Sequence, residues 1–174
     1  MNEDVRETLR RVGRASREAR GRAAELAVEG ALLLDVAEEV EDLMRKRGLR
    51  PAFPTCISID TVAAHYSPTH DDSLRFRRGN VVKLDLGAHL DGWIADTAVT
   101  VEVGTRNWTP LIRASELALQ TAIEAVRTGT PRARKSTLAA PSAAVVSPAL
   151  RTTSASSSPR PNGRRARTAT QPAA

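Results

Sequence analysis

The segment Lys83-Leu84-Asp85-Leu86-Gly87-Ala88-His89-Leu90-Asp91-Gly92-Trp93-Ile94-Ala95-Asp96 sets two carboxylates, Asp85 and Asp96, on two apolar runs that meet at Asp91-Gly92. Asp-Gly between alternating runs predicts a tight hairpin, because both turn positions then need positive φ. Val82, Leu84 and Leu86 share one parity of the first run, and Trp93, Ala95, Val99 and Val101 share one parity of the second. Those residues make an apolar face and leave both aspartates on the other. With Leu90-Asp91 as the loop the carboxylates stand directly opposite each other, and with Asp91-Gly92 they stand on the diagonal. Either register keeps them within reach of one ion. Like charges across a ladder repel, and a hard divalent cation between them removes that repulsion. The hairpin reads as one wall of a metal site. Spacing alone leaves open the alternative of two solvated surface charges.

The preceding elements must position this hairpin. Val5, Leu9 and Val12 recur at helical spacing, and a second, longer helix is expected over residues 22–47, with Leu33, Val36, Val40 and Leu43 as its apolar stripe. Its residues Glu38, Glu39, Glu41 and Asp42 are expected to face water, Lys46 and Arg47 suit the negative C-terminal end, and Gly48 follows as a helix stop. Arginines at 6, 10, 11, 14, 17, 20 and 22 read as a solvated face paired with Glu3, Glu7 and Glu18 rather than an RNA-contacting one. Pro51 and Pro54 mark an extended lead-in, short strands are expected near 56–60 and 62–66, and Arg77-Arg78-Gly79-Asn80 turns into the hairpin. Thr109 and Pro110 are expected as N-cap and first residue of a last helix to about residue 126, ended by Gly129 and Pro131.

The chain of 174 residues fits one domain. It has no apolar run long enough to span a membrane, and Met1-Asn2-Glu3-Asp4 lacks the plan of a signal peptide. The single cysteine, Cys56, excludes an internal disulfide and suits a cytoplasmic location; it reads as a small buried residue. Charge is segregated. All 20 acidic residues and 17 of the 26 basic ones lie in 1–124, so that body carries −3, while 125–174 holds 9 basic residues and no acid. From Thr128 onward the sequence is mostly Ala, Ser, Thr, Pro and Arg with no aromatic residue. Such a segment cannot bury enough surface to offset its ordering entropy. Residues 128–174 are therefore expected to be a disordered basic tail, and the abrupt change suggests an out-of-frame translation of a GC-rich gene. The alternative is a genuine basic tail that contacts RNA or the ribosome by charge alone, without a stacking platform.

Three blocks resemble the methionine aminopeptidases of the type II kind found in archaea and eukaryotes: Pro51-Ala52-Phe53-Pro54 with Ile57-Ser58-Ile59-Asp60, then Ala63-Ala64-His65-Tyr66-Ser67-Pro68, then Val82 through Gly87 and Asp91 through Val101. The resemblance covers about residues 3–126. It implies an α+β architecture, the first half of a pita-bread (creatinase/aminopeptidase-like) fold, in residues 1–127. It also implies a centre of two divalent metal ions (Co, Fe, Mn or Zn), with Asp85 matching the first aspartate ligand and Asp96 the bridging one. His65 matches the histidine that contacts the substrate, and Phe53 and Pro54 lie where the family lines its methionine pocket. The implied reaction is removal of the initiator methionine from nascent polypeptide N-termini. His70 reads as a solvated loop residue and His89, near the turn, as a plain surface residue, the alternative being a group that supports a metal ligand. Cys56 stands where archaeal relatives more often carry asparagine.

The resemblance also implies five metal ligands, and after the aspartates a histidine and two glutamates should follow. The last histidine here is His89 and the last acidic residue is Glu124. The chain as written is thus expected to lack half of the site, to be inactive alone, and to be poorly folded or aggregated through an uncovered sheet edge. Two other readings stand beside this one: a non-catalytic pita-bread relative that binds protein or RNA, and a partial subunit completed by another chain.

Overall fold

A small-residue stripe organises the first helix. In a computed structural model that describes residues 2–126, α1 spans Glu3–Leu26 and buries Val12, Ala15, Ser16, Ala19 and Ala23. These recur every three or four residues on one side, and their small side chains admit a sheet at close range. The side chain of Asn2 accepts a hydrogen bond from the Asp4 N–H at 3.1 Å, and Glu3 and Asp4 complement the positive helix start. The outward side carries Arg6, Arg10 and Arg14, paired with Glu3 and Glu7; Glu18 pairs with Arg47 of the next helix end.

The boundary expected at residue 22 is wrong. Helix α1 runs to Leu26, and α2 begins only at Leu33 and ends at Lys46. The intervening backbone is claimed by a distant segment. Gly30 N–H donates to the Phe76 carbonyl at 2.8 Å, Phe76 N–H donates to the Ala31 carbonyl at 3.0 Å, and Leu33 N–H donates to the Leu74 carbonyl at 3.0 Å. Phe76 itself is buried in the core. These long-range bonds replace intrahelical ones, which local periodicity does not report. Within α2, Leu33, Val36, Ala37, Val40 and Met44 are buried, Leu43 is partly buried, and Gly48 follows at φ +71°. Glu41 departs from its expected solvated role: its carboxylate accepts the buried Thr55 N–H at 3.0 Å.

The sheet has four antiparallel strands. β1 (Arg50–Pro51) and β2 (Cys56–Ile59) pair with one side of β3 (Val81–Leu90), and β4 (Trp93–Glu102) pairs with the other. The two-residue β1 has no sequence signature of its own. The strand expected at 62–66 does not form. Ile57 N–H does reach the Tyr66 carbonyl at 2.7 Å, but His65 sits at φ +65° and breaks the extended run. Val82, Leu84, Leu86 and Ala88 are fully buried on one face of β3, beneath α1, with Ile57 beside them. Ala95, Val99 and Val101 continue that face on β4, whereas Trp93 at the hairpin tip is 43% exposed.

Helix α3 (Thr109–Ala125) buries none of its residues. Its N-cap is Trp108, one residue before the expected Thr109, and Pro110 lies inside the first turn. The capping comes from the end of β4. Glu102 accepts hydrogen bonds from the N–H groups of Asn107 at 2.7 Å and Trp108 at 2.8 Å, and from the Thr105 hydroxyl. The expected helix stop at Gly129 and Pro131, and the tail 128–174, lie outside the described residues.

Candidate metal-carboxylate face

The hairpin turn settles the register. Asp91 at φ +51° and Gly92 at φ +84° are the two loop residues, and Leu90 pairs with Trp93. Positive φ at both positions matches the right-handed twist of the flanking strands. Asp85 therefore pairs with Ala98 and Asp96 with Gly87, so the two carboxylates share a face on the diagonal. Asp96 is exposed and Asp85 is 27% exposed. Lys83, two residues back on the same face, places its Nζ 3.2 Å from Asp85 Oδ2. On the other side of β3, Cys56 pairs with Asp85 and Ser58 with Lys83. The Cys56 thiol is partly buried, 3.4 Å from Ser67 Oγ and within 3.4 Å of the Pro54 carbonyl.

His65 is exposed, and its backbone is left-handed at φ +65°. The Tyr66 hydroxyl donates to the Asp72 carboxylate, which holds the phenol above its usual range, with burial adding to the effect. Among the described residues no group of three or more His, Cys, Asp or Glu side chains gathers within reach of one ion. The structure thus joins Asp85 and Asp96 on one face and leaves His65 outside any three-ligand cluster. Phe53 is half-buried and Pro54 exposed. A Cβ on Gly87 would lie 3.0 Å from Phe53 Cε1, so the ring packs on β3 at the residue opposite Asp96. His70 is exposed as expected. His89 is not the plain surface residue anticipated. It pairs with Arg50 across the β1–β3 ladder, is half-buried, and buries a Nδ1 that has no hydrogen-bond partner among the described residues.

Ser16 is the positioning residue that the sequence reading passed over. Its buried Oγ accepts the Ala88 N–H at 3.1 Å and donates to the Ala95 carbonyl at 3.2 Å. It thereby ties α1 to both strands of the hairpin, one residue from Asp96. The available signal was a lone hydroxyl within the apolar stripe Val12, Ala15, Ala19 and Ala23.

The chemistry of this donor set is limited. Two carboxylates, one already paired with a lysine, supply hard oxygen ligands for a divalent cation but too few to fix two ions. The described residues therefore do not fit a two-ion centre by themselves. They border a cleft that is also lined by Ile112, Leu119 and Ile123 of α3.

Comparison with known proteins gives this geometry its context. A profile described as metallopeptidase family M24 matches residues 7–144. The methionine aminopeptidase of Archaeoglobus fulgidus is 46% identical over 129 residues, covering 74% of this chain and 44% of that protein. That of Methanocaldococcus jannaschii is 47% identical over 120 residues, covering 69% and 40%. That of Methanothermus fervidus is 37% identical over 137 residues, covering 71% and 72%. Among solved structures, methionine aminopeptidase from Thermotoga maritima superposes with a TM-score of 0.67 at 26% identity, over 73% of this chain and 54% of that one. Prolidase from Pyrococcus furiosus does so at 0.69 and 26%, over 79% and 42%. The chain spans less than half the length of the A. fulgidus and M. jannaschii relatives.

Proposed function

The chain belongs to metallopeptidase family M24, within its methionine aminopeptidase branch, and from that premise we propose that it supplies the carboxylate half of a site that removes the initiator methionine from nascent polypeptides. The observation that carries this reading is the diagonal pair Asp85 and Asp96 on the open face of the hairpin. In this reading the pair contributes to a divalent-metal site, with Co, Fe, Mn and Zn all compatible with mixed carboxylate and imidazole ligands. Phe53 and Pro54 form the apolar seat for the methionine side chain, and His65 donates a hydrogen bond to the substrate. No histidine follows His89 and no acid follows Glu124, so the polypeptide as written does not turn over alone.

Release of free methionine from a Met-Ala-Ser peptide, with Co²⁺ or Mn²⁺ added, tests the proposal. The lone 174-residue chain gives no release. Mixing it with the C-terminal portion of an archaeal relative restores release, and Asp96→Asn abolishes what is restored. Release by the lone chain contradicts the half-site. Restored release that survives Asp96→Asn contradicts the assignment of the carboxylates.

A further inference from the structure

We propose that Gly87 is a positioning residue whose bare α-carbon seats the Phe53 ring beside the Asp85–Asp96 pair and so sets the apolar subsite for the substrate's first side chain. The role of the subsite rests on the function proposed above; the seating of the ring does not.

Gly87 occupies the middle of the row Asp85, Gly87, His89 on the open face of β3. It is buried, with the Phe53 ring and the Ala95 carbonyl against it. A side chain there meets two obstacles. Its Cβ would lie 3.0 Å from Phe53 Cε1 and 2.7 Å from the Ala95 carbonyl oxygen, with Asp96 Cα at 3.4 Å. Carbon contacts settle near 3.5–4.0 Å, so both neighbours would have to move. The conformation of Gly87 does not demand glycine, since its φ is not among the positive values. Space demands it, which is the case of another group approaching the backbone closely.

The geometry couples two features. The ring of Phe53 rests on the strand position opposite Asp96 and two residues from Asp85. One missing side chain therefore fixes an apolar surface next to two carboxylates. The ligand class that matches is a small molecule or peptide end with an unbranched apolar side chain and a cationic amine. L-Methioninol has both groups and no scissile bond. A methyl at position 87 lifts the ring and pushes the Ala95 carbonyl, and with it the Ala95–Asp96 peptide, outward, so it disturbs the seat and the carboxylate spacing together.

The chain has only two phenylalanines, Phe53 and Phe76, and Phe76 is buried in the core far along the sequence. Labelling the full chain with 4-fluorophenylalanine gives two ¹⁹F resonances, assigned by the loss of one in Phe53→Leu. Gly87→Ala is expected to move the Phe53 resonance while leaving that of Phe76 in place. L-Methioninol is expected to shift the Phe53 resonance saturably in the wild-type chain and to bind at least tenfold more weakly to Gly87→Ala. An unmoved Phe53 resonance in Gly87→Ala overturns the proposal, as does unchanged methioninol affinity. If methioninol shifts nothing in the wild type while Gly87→Ala still moves the Phe53 resonance, the ring seat stands and the proposed substrate role falls. If Gly87→Ala does not fold, the pair Gly87→Ala with Phe53→Ala decides: a restored fold places the conflict at the ring, and continued unfolding places it at the Ala95 carbonyl alone, against the proposal.

Discussion

Helices α1 and α3 both flank β4, yet they are held in opposite ways. Five residues of α1 are buried, four of them alanine or valine, although its outward side is crowded with arginine and glutamate. Helix α3 carries Leu111, Leu117, Leu119 and Ile123, and these remain 48–60% exposed. The more apolar helix is the less buried one. Burial follows from what a face meets rather than from how apolar it is. The α1 stripe meets the sheet through small side chains and through Ser16, while the apolar side of α3 faces a cleft that the described residues do not fill. The hairpin repeats the contrast on its own scale, with leucines sealed under α1 and carboxylates open on the reverse.

That contrast can be broken by substitution. Leu84→Ala removes a fully buried side chain beneath α1 and is expected to lower stability by about 2–5 kcal/mol, whereas Leu117→Ala on α3 is expected to change it by no more than about 0.5 kcal/mol. Urea denaturation followed by circular dichroism compares the two, and equal losses would show α3 to be packed as firmly as α1. Ser16→Ala strands the buried Ala88 N–H and is expected to cost about 1–3 kcal/mol by the same measurement. The uncovered leucines also predict self-association, which Leu117→Lys should reduce in sedimentation runs at raised protein concentration.

The smallest effect expected is electrostatic. Burial alone would raise the Glu102 pKa, but the Thr105 hydroxyl and the N–H groups of Trp108 and Asn107 outweigh it and hold the carboxyl below the usual range. A lowered folded pKa stabilises fully above the ordinary carboxylate value of about 4.3, and that contribution fades as pH falls through the folded value. The protection of the first-turn amides of α3, relative to their intrinsic exchange rates, should therefore fall in acid, and Glu102→Gln should remove most of this pH response without touching the protection of β3.

Much of this was legible because it is local. The Asp91-Gly92 turn follows from two positive φ values that glycine and aspartate tolerate, and the alternation of Val82, Leu84 and Leu86 reports a face directly. That Asp85 and Asp96 share a face followed from the same parity. What escaped the sequence depends on distant partners. The break at 27–32 exists because residues 74–76 take the backbone bonds, and the left-handed His65 ends a strand that its composition would allow. Ser16, His89 and Gly87 gain their roles from atoms 34 to 79 positions away or across a ladder, which no local pattern encodes.

In the proposed reading, Asp85 and Asp96 hold one cation jointly and do not complete a two-ion site. Titration of Mn²⁺ into the full chain, with free ion followed by electron paramagnetic resonance, addresses it most directly. At most one weakly held ion per chain is expected, with Asp85→Asn and Asp96→Asn each weakening it about tenfold or more. Two tightly held ions, or a single ion indifferent to both substitutions, would contradict it.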